Sequence, residues 1–236
     1  MDNPEKNEQK KQDVVDMFND IASTYDKINH RLSFSIDVLW RRKLRKMVRS
    51  YHPQHILDMS AGTGDLSIEL SKLHPHTLVA ADPSEKMLEI AEMKLSKAAI
   101  MAELVKCYAE ETPFASASFD LITCAFGIRN FASLEKGLRE LHRILKHGGH
   151  MAILEFGMPE GFIWRRLYHF YFNHILPLRG RRLSRHNSAY TYLNQTVQQF
   201  PYGIDMEKIL TGCGFELLRT KKLSGGIAYL YLVEKK

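Results

Sequence analysis

Three carboxylates and a glycine-rich turn lie close together in the first third of the chain. Asp58 ends a short apolar run in the segment HILDMSAGTGD, the turn AGTG follows, and Asp65 comes directly after it. A second apolar run, TLVAAD, ends in Asp82. Two strands that end in acids, separated by a glycine-rich turn and a helix, predict a nucleotide pocket at the carboxyl ends of parallel strands. The same pattern also occurs in a strand–turn–helix without a ligand.

The charges next to this turn indicate which nucleotide it would bind. Dinucleotide sites use G-x-G-x-x-G and place a pyrophosphate at a helix N-terminus, but Ser67 occupies the position of the third glycine. Asp58 and Asp65 would repel a pyrophosphate, which argues against a NAD-dependent dehydrogenase. The same carboxylates would attract the sulfonium and ammonium groups of S-adenosylmethionine (SAM), and Asp82 would accept hydrogen bonds from its ribose. The sequence therefore favours a SAM site.

Length and composition set the broad class of the chain. With 236 residues, 44% hydrophobic and 25% charged, it fits one α/β domain, which we expect to span residues 13–236 after a disordered segment, 1–12. No apolar stretch approaches the roughly 18 residues of a membrane span, and the polar N-terminus is unlike a signal peptide, so we expect a cytoplasmic protein. Three scattered cysteines and 11 histidines without ligand spacing predict neither a disulfide framework nor a metal site.

Strands and helices alternate through the middle of the sequence. This order predicts a doubly wound, mostly parallel, seven-stranded sheet. The expected strands are His55–Met59, Thr77–Ala81, Ala102–Tyr108, Phe119–Ala125, Gly149–Glu155 and a terminal hairpin of Phe215–Leu223 with Ile227–Glu234. The expected helices are Asp65–Leu73, Ser84–Lys97 with Ser84 as N-cap, Leu134–Lys146 and Met206–Cys213.

Two segments lie outside this alternation. Residues 13–52 predict a helical cap: a helix from Val14 to Thr24, a loop over YDKINHRLSFSID and a second helix that ends near Ser50. Residues 158–203 predict an insertion after the fifth strand, with an amphipathic aromatic helix. Between Gly161 and Ile204 the chain has six arginines, ten of its 24 aromatic residues and no acid. A basic, aromatic segment of this kind suggests a nucleic acid or an anionic membrane as partner.

Four stretches resemble the ubiquinone/menaquinone biosynthesis C-methyltransferase family: FNDIASTYDKINHRLSFSIDVLWRR, LDMSAGTGDLS, FDLITCAFGIRNF and LKHGGHMAILEF. The resemblance covers about Val14 to Val233. It implies a Rossmann-like class I SAM methyltransferase that methylates a ring carbon of a prenylated hydroquinone. Demethylmenaquinol is the usual bacterial substrate of such enzymes, and a benzoquinol is the alternative.

The resemblance also suggests site residues. We expect the cofactor to contact Asp58, Gly62, Thr63, Gly64, Asp82, Met87, Tyr108, Ala109 and Ala125. Two of these positions depart from the family pattern: Tyr108 stands where Asn or Asp is expected, and Ala125 replaces a serine. These departures affect the adenine contacts rather than the class of cofactor.

Methylation of a carbon needs a reduced ring whose hydroxyl loses its proton. We expect Arg129 to stabilise the developing oxyanion, Asn130 to orient the ring oxygen and Tyr25 to lie over the sulfonium. Arginine stays protonated, so Arg129 is not assigned as the base. The structural alternatives are that Arg129 pairs with an acid at a strand end and that Tyr25 packs on the core.

The basic insertion acquires a role under this hypothesis. A polyprenyl quinol stays in the bilayer, so residues 162–185 would contact the inner face of the cytoplasmic membrane. The whole insertion, residues 158–203, would act as a substrate lid. We expect no nucleic-acid partner and leave a homodimer open. An RNA methyltransferase is the competing reading of SAM plus basic charge, but the sequence has no Pro-Pro-Tyr motif and no cysteine that follows a proline.

Overall fold

A seven-stranded sheet forms the centre of the computed structural model, which describes residues 4–159, 161, 166, 192 and 195–236. The strand order is β3-β2-β1-β4-β5-β7-β6, and β7 runs in the direction opposite to the other six strands. The predicted doubly wound, mostly parallel sheet is thereby confirmed. The strands are β1 His55–Met59, β2 Thr77–Ala81, β3 Glu103–Val105, β4 Phe119–Ala125, β5 Leu145–Phe156, β6 Phe215–Leu223 and β7 Ala228–Lys235.

Helices cover both faces of this sheet. Successive residues of a strand point to opposite faces, so Ile56 packs into one hydrophobic cluster with Trp40 and Leu70, whereas Leu57 packs into another with Leu138. The helices with described bounds are α1 Pro4–Leu32, α2 Ile36–Val48, α3 Asp65–Ser71, α4 Glu85–Lys97, α5 Leu134–Ile144 and α6 Ile204–Gly212. Among the described residues, no helix is both long and apolar enough to cross a bilayer.

The N-terminal region differs from its prediction. One continuous helix, α1, includes residues 4–12 of the segment expected to be disordered and most of the segment expected to be a loop. Tertiary contacts explain the difference, since Lys10 Nζ donates to the carbonyl of Phe131 at 2.7 Å and Asp26 Oδ2 accepts from Lys94 at 2.7 Å. The chain turns only at Phe34 and Ser35, which both have positive φ (52° and 59°).

Other boundaries shift by a few residues. Strand β3 ends at Val105, so Tyr108 lies in the loop beyond it rather than in the strand as predicted. Ser84 is the N-cap of α4 as predicted, because its hydroxyl accepts the backbone N–H of Met87 at 3.2 Å. Most of the predicted insertion, and all of its segment 162–185 except residue 166, lies outside the described residues.

Candidate functional site

A pocket opens at the carboxyl edge of the sheet, between the loops after β1, β2, β3 and β4 and the cap helix α1. Its volume, with the open mouth included, is about 650 Å³. The structure brings many of the sequence-predicted residues together in its lining. These are Tyr25, Gly62, Asp82, Met87, Tyr108, Ala109, Ala125 and Asn130.

Asp82 is the best-organised acid of the pocket. Its Oδ2 accepts the backbone N–H of Gly62 and its Oδ1 that of Ser84, both at 2.9 Å. Burial raises the pKa of this carboxyl to about 6, although the two N–H groups oppose the shift. The carboxylate is thus fixed at the end of β2 with acceptor capacity left over, which suits a ligand with paired hydroxyl groups.

The glycine turn holds its shape through unusual backbone angles. Gly62 and Gly64 have φ of 55° and 82°, a region that glycine enters without strain. A Cβ on Gly64 would lie 3.2 Å from that of Ala91, so a side chain there would press on α4. Gly64 therefore positions the turn against α4 without itself lining the pocket.

Asp58 lies differently from the expectation of direct contact with a cationic ligand. It is buried in β1, where its carboxylate accepts from Ser67 at 2.6 Å and from Thr123 at 3.0 Å. Burial raises its pKa to about 6. Among the described residues the pocket lining does not include it. Any attraction that Asp58 exerts on a cation acts across the turn rather than by contact.

Asp65 also departs from expectation, because the protein supplies its counter-ion. Lys94 bridges Asp65, at 2.5 Å, to Asp26 on the cap helix, at 2.7 Å. Thr63 donates its hydroxyl to Asp26 Oδ1 at 2.5 Å and is therefore engaged with the cap. Thr63, Asp65 and Lys94 form a polar latch with Asp26 between the cap helix and the glycine turn. Lys94 therefore offsets the attraction that we expected Asp65 to exert on a cationic ligand.

Asp65 also belongs to a cluster of three side chains that are of the types that bind metal ions. His30, Asp37 and Asp65 lie close enough to share an ion. However, Arg41 is hydrogen-bonded to Asp37 and its guanidinium lies 3.9 Å from Asp65. A guanidinium already neutralises these carboxylates, so a metal ion would have to displace it. The expectation that the protein needs no metal remains a prediction.

Arg129 and Asn130 follow β4 in a short 3-10 turn, but they face different surroundings. The guanidinium of Arg129 forms a 2.8 Å ion pair with Glu155 and lies over the ring of Phe156. This arrangement matches the structural alternative for Arg129, whose Nε is buried without a hydrogen-bond partner among the described residues. Asn130 lines the pocket, and its Oδ1 accepts from the hydroxyl of Tyr192 at 3.2 Å.

Tyr25 lines the pocket from the cap helix. Burial raises the pKa of its phenol, so the side chain is neutral at physiological pH. Tyr108 lines the pocket from the loop after β3, and the ammonium of Lys11 is 5.1 Å from its ring centroid. Both aromatic side chains are thus placed to contact a ligand, and Tyr108 combines a ring face with a nearby positive charge.

Several lining residues were not predicted. Helix α1 contributes Lys11, Val14, Val15 and Phe18, and the strand ends contribute Ser60, Phe126, Gly127 and Phe131. The apolar side of α1 is visible in the sequence, but the sequence does not indicate that it faces a pocket rather than the core. Gly127 carries a clearer signal, because a Cβ there would lie 2.3 Å from Cβ of Ser60. Such close approach requires a glycine, and the FGIRNF motif supplies it.

Comparisons with known proteins agree with this geometry. A sequence model of the ubiE/COQ5 methyltransferase family matches residues 5–235. A demethylmenaquinone methyltransferase of Bacteroides fragilis is 40% identical, over 98% of this chain and 96% of that protein. A ubiquinone/menaquinone biosynthesis C-methyltransferase UbiE of Geotalea uraniireducens is 41% identical, over 96% and 98%. The crystal structure of a SAM-dependent methyltransferase from Aquifex aeolicus shares the fold, with a TM-score of 0.57 at 19% identity over 80% of this chain and 88% of that one.

Proposed function

Because the chain belongs to the ubiE/COQ5 methyltransferase family, we propose that it methylates a ring carbon of a prenylated hydroquinone, with demethylmenaquinol as the preferred acceptor and SAM as the methyl donor. The observation that carries the proposal is the pocket itself. A buried carboxylate fixed by two backbone N–H groups lies on one side, and an aromatic and apolar wall lies on the other.

The residues present fit the donor. Asp82 offers carboxylate oxygens to the ribose hydroxyls, and Met87 and Tyr108 provide an apolar and an aromatic surface for an adenine ring. When bound, SAM supplies a methyl group that is already activated by its sulfonium. The protein therefore has to align the two reactants and exclude water, and the cap helix that closes the pocket serves both purposes.

The acceptor side of the pocket is apolar with one polar anchor. Val14, Phe18 and Phe131 would surround an aromatic ring, and Asn130 Oδ1 would accept a hydrogen bond from a ring hydroxyl in place of the Tyr192 hydroxyl. A neutral Tyr25 does not repel a phenolate as an ionised side chain would. Arg129 brings a buried positive charge close to the acceptor side of the pocket, although its guanidinium forms its direct ion pair with Glu155.

A side-by-side assay tests the proposal. Labelled SAM is offered with reduced short-chain demethylmenaquinol, with a reduced benzoquinol that lacks the ring methyl, and with bulk RNA. We expect label in the naphthoquinol first, less in the benzoquinol and none in RNA, and no transfer to the oxidised quinones because they are electron-poor. Label in RNA alone would refute the proposal.

A pair of variants ties the activity to the pocket. Asp82→Ala should raise the Kd for SAM at least about tenfold, since it removes acceptors for ribose and leaves two N–H groups unsatisfied. Asp205→Ala is the matched control, because it removes a carboxylate that is largely exposed on α6. Equal affinities for SAM in the two variants would contradict the assignment of Asp82.

The proposed substrate also places the enzyme near a membrane. The tail of a prenylated quinol stays within the bilayer, so we propose a peripheral protein that reaches the acceptor from the cytoplasmic face. The chain's surplus of positive charge, +6, is compatible with an anionic surface. A contribution from residues 162–185 and a homodimer remain proposals, which vesicle sedimentation and sedimentation velocity would test.

A further inference from the structure

The corner between α1 and α2 exposes an unusual concentration of apolar side chains. Phe34 is 65% exposed, Leu39 51% and Ile36 37%. Three of the eight large hydrophobic side chains that are exposed among the described residues thus fall within six positions. Isolated exposed hydrophobics are normal on soluble domains, but a cluster at one corner indicates a contact surface.

Basic side chains continue this surface along α2. Leu39, Lys43 and Lys46 are exposed at helical spacing i, i+4 and i+7, and they therefore lie on one side of the helix. Between Arg31 and Gln54 the sequence has seven basic residues and one acid. That acid, Asp37, is buried and bonded to Arg41 and Ser33.

The positive charge of this surface is only partly neutralised. Glu69 is 3.1 Å from Arg45 and 3.8 Å from Arg42, so these two arginines face α3. By contrast, Lys43 and Lys46 have no ion pair with any residue in the described part of the chain. The exposed side of α2 is apolar at its N-terminal end and carries unneutralised lysines in its middle and last turns.

This corner lies on the same edge of the sheet as the pocket. Trp40, the neighbour of Leu39 in the chain, packs against Phe126 with ring centroids 6.1 Å apart. Phe126 in turn lines the pocket. A single buried aromatic pair thus separates the exposed corner from the site where a lipid-tailed acceptor would bind.

We propose that residues 31–46 form a docking surface for an anionic lipid bilayer, an inference that rests on the proposed function for its purpose. Phe34, Ile36 and Leu39 enter the interface, and Lys43 and Lys46 contact lipid phosphates. Ile36 and Lys46 are separated by a helical rise of about 15 Å, so an oblique α2 places its first turn in the acyl boundary and its last turn among the headgroups.

Other partners fit this surface less well. In a symmetric dimer through the same surface, lysines of one copy would approach those of the other, which is unfavourable. A nucleic acid would satisfy the lysines but would leave the apolar corner in water. An anionic bilayer satisfies both the charge and the apolar surface.

The test compares two double variants that have equal changes of charge and that each replace one exposed apolar side chain. Leu39→Glu with Lys43→Glu alters the corner, whereas Met101→Glu with Lys97→Glu alters an exposed pair near the end of α4, at the opposite edge of the sheet. Binding is measured by co-sedimentation with phosphatidylcholine vesicles, with and without phosphatidylserine, in the absence of SAM and quinol.

We expect wild type and the Met101/Lys97 variant to bind the phosphatidylserine vesicles. The Leu39/Lys43 variant should partition at least about tenfold more weakly, since one basic residue near such a surface contributes about fivefold. Methylation of a soluble short-chain quinol should be equal in all three proteins, which shows that the variants are folded.

Three outcomes would overturn the inference: no vesicle binding by wild type, equal binding by both variants, or a dimer that only the Leu39/Lys43 variant fails to form. A chain that docks but methylates no quinol would instead overturn the proposed function and leave the docking surface intact.

Discussion

The buried ion pair between Arg129 and Glu155 makes a prediction that separates stability from catalysis. Arg129→Met removes the guanidinium but keeps an unbranched apolar side chain over Phe156. Glu155→Gln removes the negative charge but keeps an oxygen that can accept the backbone N–H of Phe156, now at 2.8 Å. The two single variants and the double variant complete a thermodynamic cycle.

The structure sets the magnitude. The side chains of Arg129 and Glu155 are 6% and 1% exposed, and a 2.8 Å contact joins them. Removal of one partner leaves an unpaired buried charge, at a cost of about 3–5 kcal/mol, whereas removal of both avoids that cost. A domain of this size is stable by about 5–15 kcal/mol, so each single variant should lose a large part of its free energy of unfolding. The double variant should regain about 2 kcal/mol or more.

Urea unfolding, calorimetry with SAM and turnover with a short-chain quinol are then measured on all four proteins. We expect the double variant to recover its stability and its affinity for SAM but to stay at least about 100-fold slower than wild type, because the positive charge near the acceptor is gone. Turnover that returns together with stability would make Arg129 a structural residue. A single variant that loses less than about 1 kcal/mol of its free energy of unfolding would refute this expectation, since an unpaired buried charge costs more than that.

Three further predictions concern the glycine turn and its surroundings. Burial raises the pKa of the Asp58 carboxyl from its ordinary 3.8 to about 6. The folded protein therefore binds the carboxyl proton more tightly than the unfolded chain does. The free energy of unfolding that this proton contributes is lost as the pH rises from 3.8 through 6. Asp58→Asn should remove this pH-dependent loss and raise the free energy of unfolding of the apoprotein at neutral pH, by at most about 3 kcal/mol in urea unfolding. An unchanged pH dependence of stability in this variant would contradict the prediction. Lys94→Met should remove the cation that bridges Asp26 and Asp65, weaken SAM binding about tenfold and increase hydrogen exchange in α1. Unchanged exchange would show that the latch does not hold the cap. Gly127→Ala should displace Ser60 and abolish measurable SAM binding, whereas Gly212→Ala, whose new Cβ would meet nothing within 4 Å, should bind SAM normally; equal binding by both would remove the steric argument.

The sheet and the pocket edge were predictable because their signals are local. Strands such as His55–Met59 and Thr77–Ala81 are short apolar runs that end in an acid or a turn, and both have the predicted bounds. Parallel strands place their carboxyl ends at one edge, so residues far apart in sequence converge there without further information. Asp82, Ala109 and Asn130 line one pocket for this reason.

The partners of the charged residues were not predictable in the same way. The counter-ion of Asp65 is Lys94, 29 positions later on another helix, and that of Arg129 is Glu155, 26 positions later. Such pairs depend on how elements pack, which composition and periodicity do not encode. The continuous α1 has the same cause: the polar residues that suggested a loop are hydrogen-bonded to neighbouring elements, as Asp26 is to Thr63.

These long-range pairs change the account of how the site attracts its cofactor. Asp65 is neutralised by the protein, and Asp58 is enclosed by two hydroxyl donors, so neither acts as a bare charge at the pocket mouth. Of the three acids near the turn, Asp82 lines the pocket, and it accepts the backbone N–H of Gly62 in the turn. These acids therefore differ in their surroundings: Asp58 and Asp65 are engaged by side chains of the protein, whereas Asp82 anchors the backbone of the turn and borders the pocket. Cofactor binding should accordingly depend on the shape of the turn as strongly as on its charge.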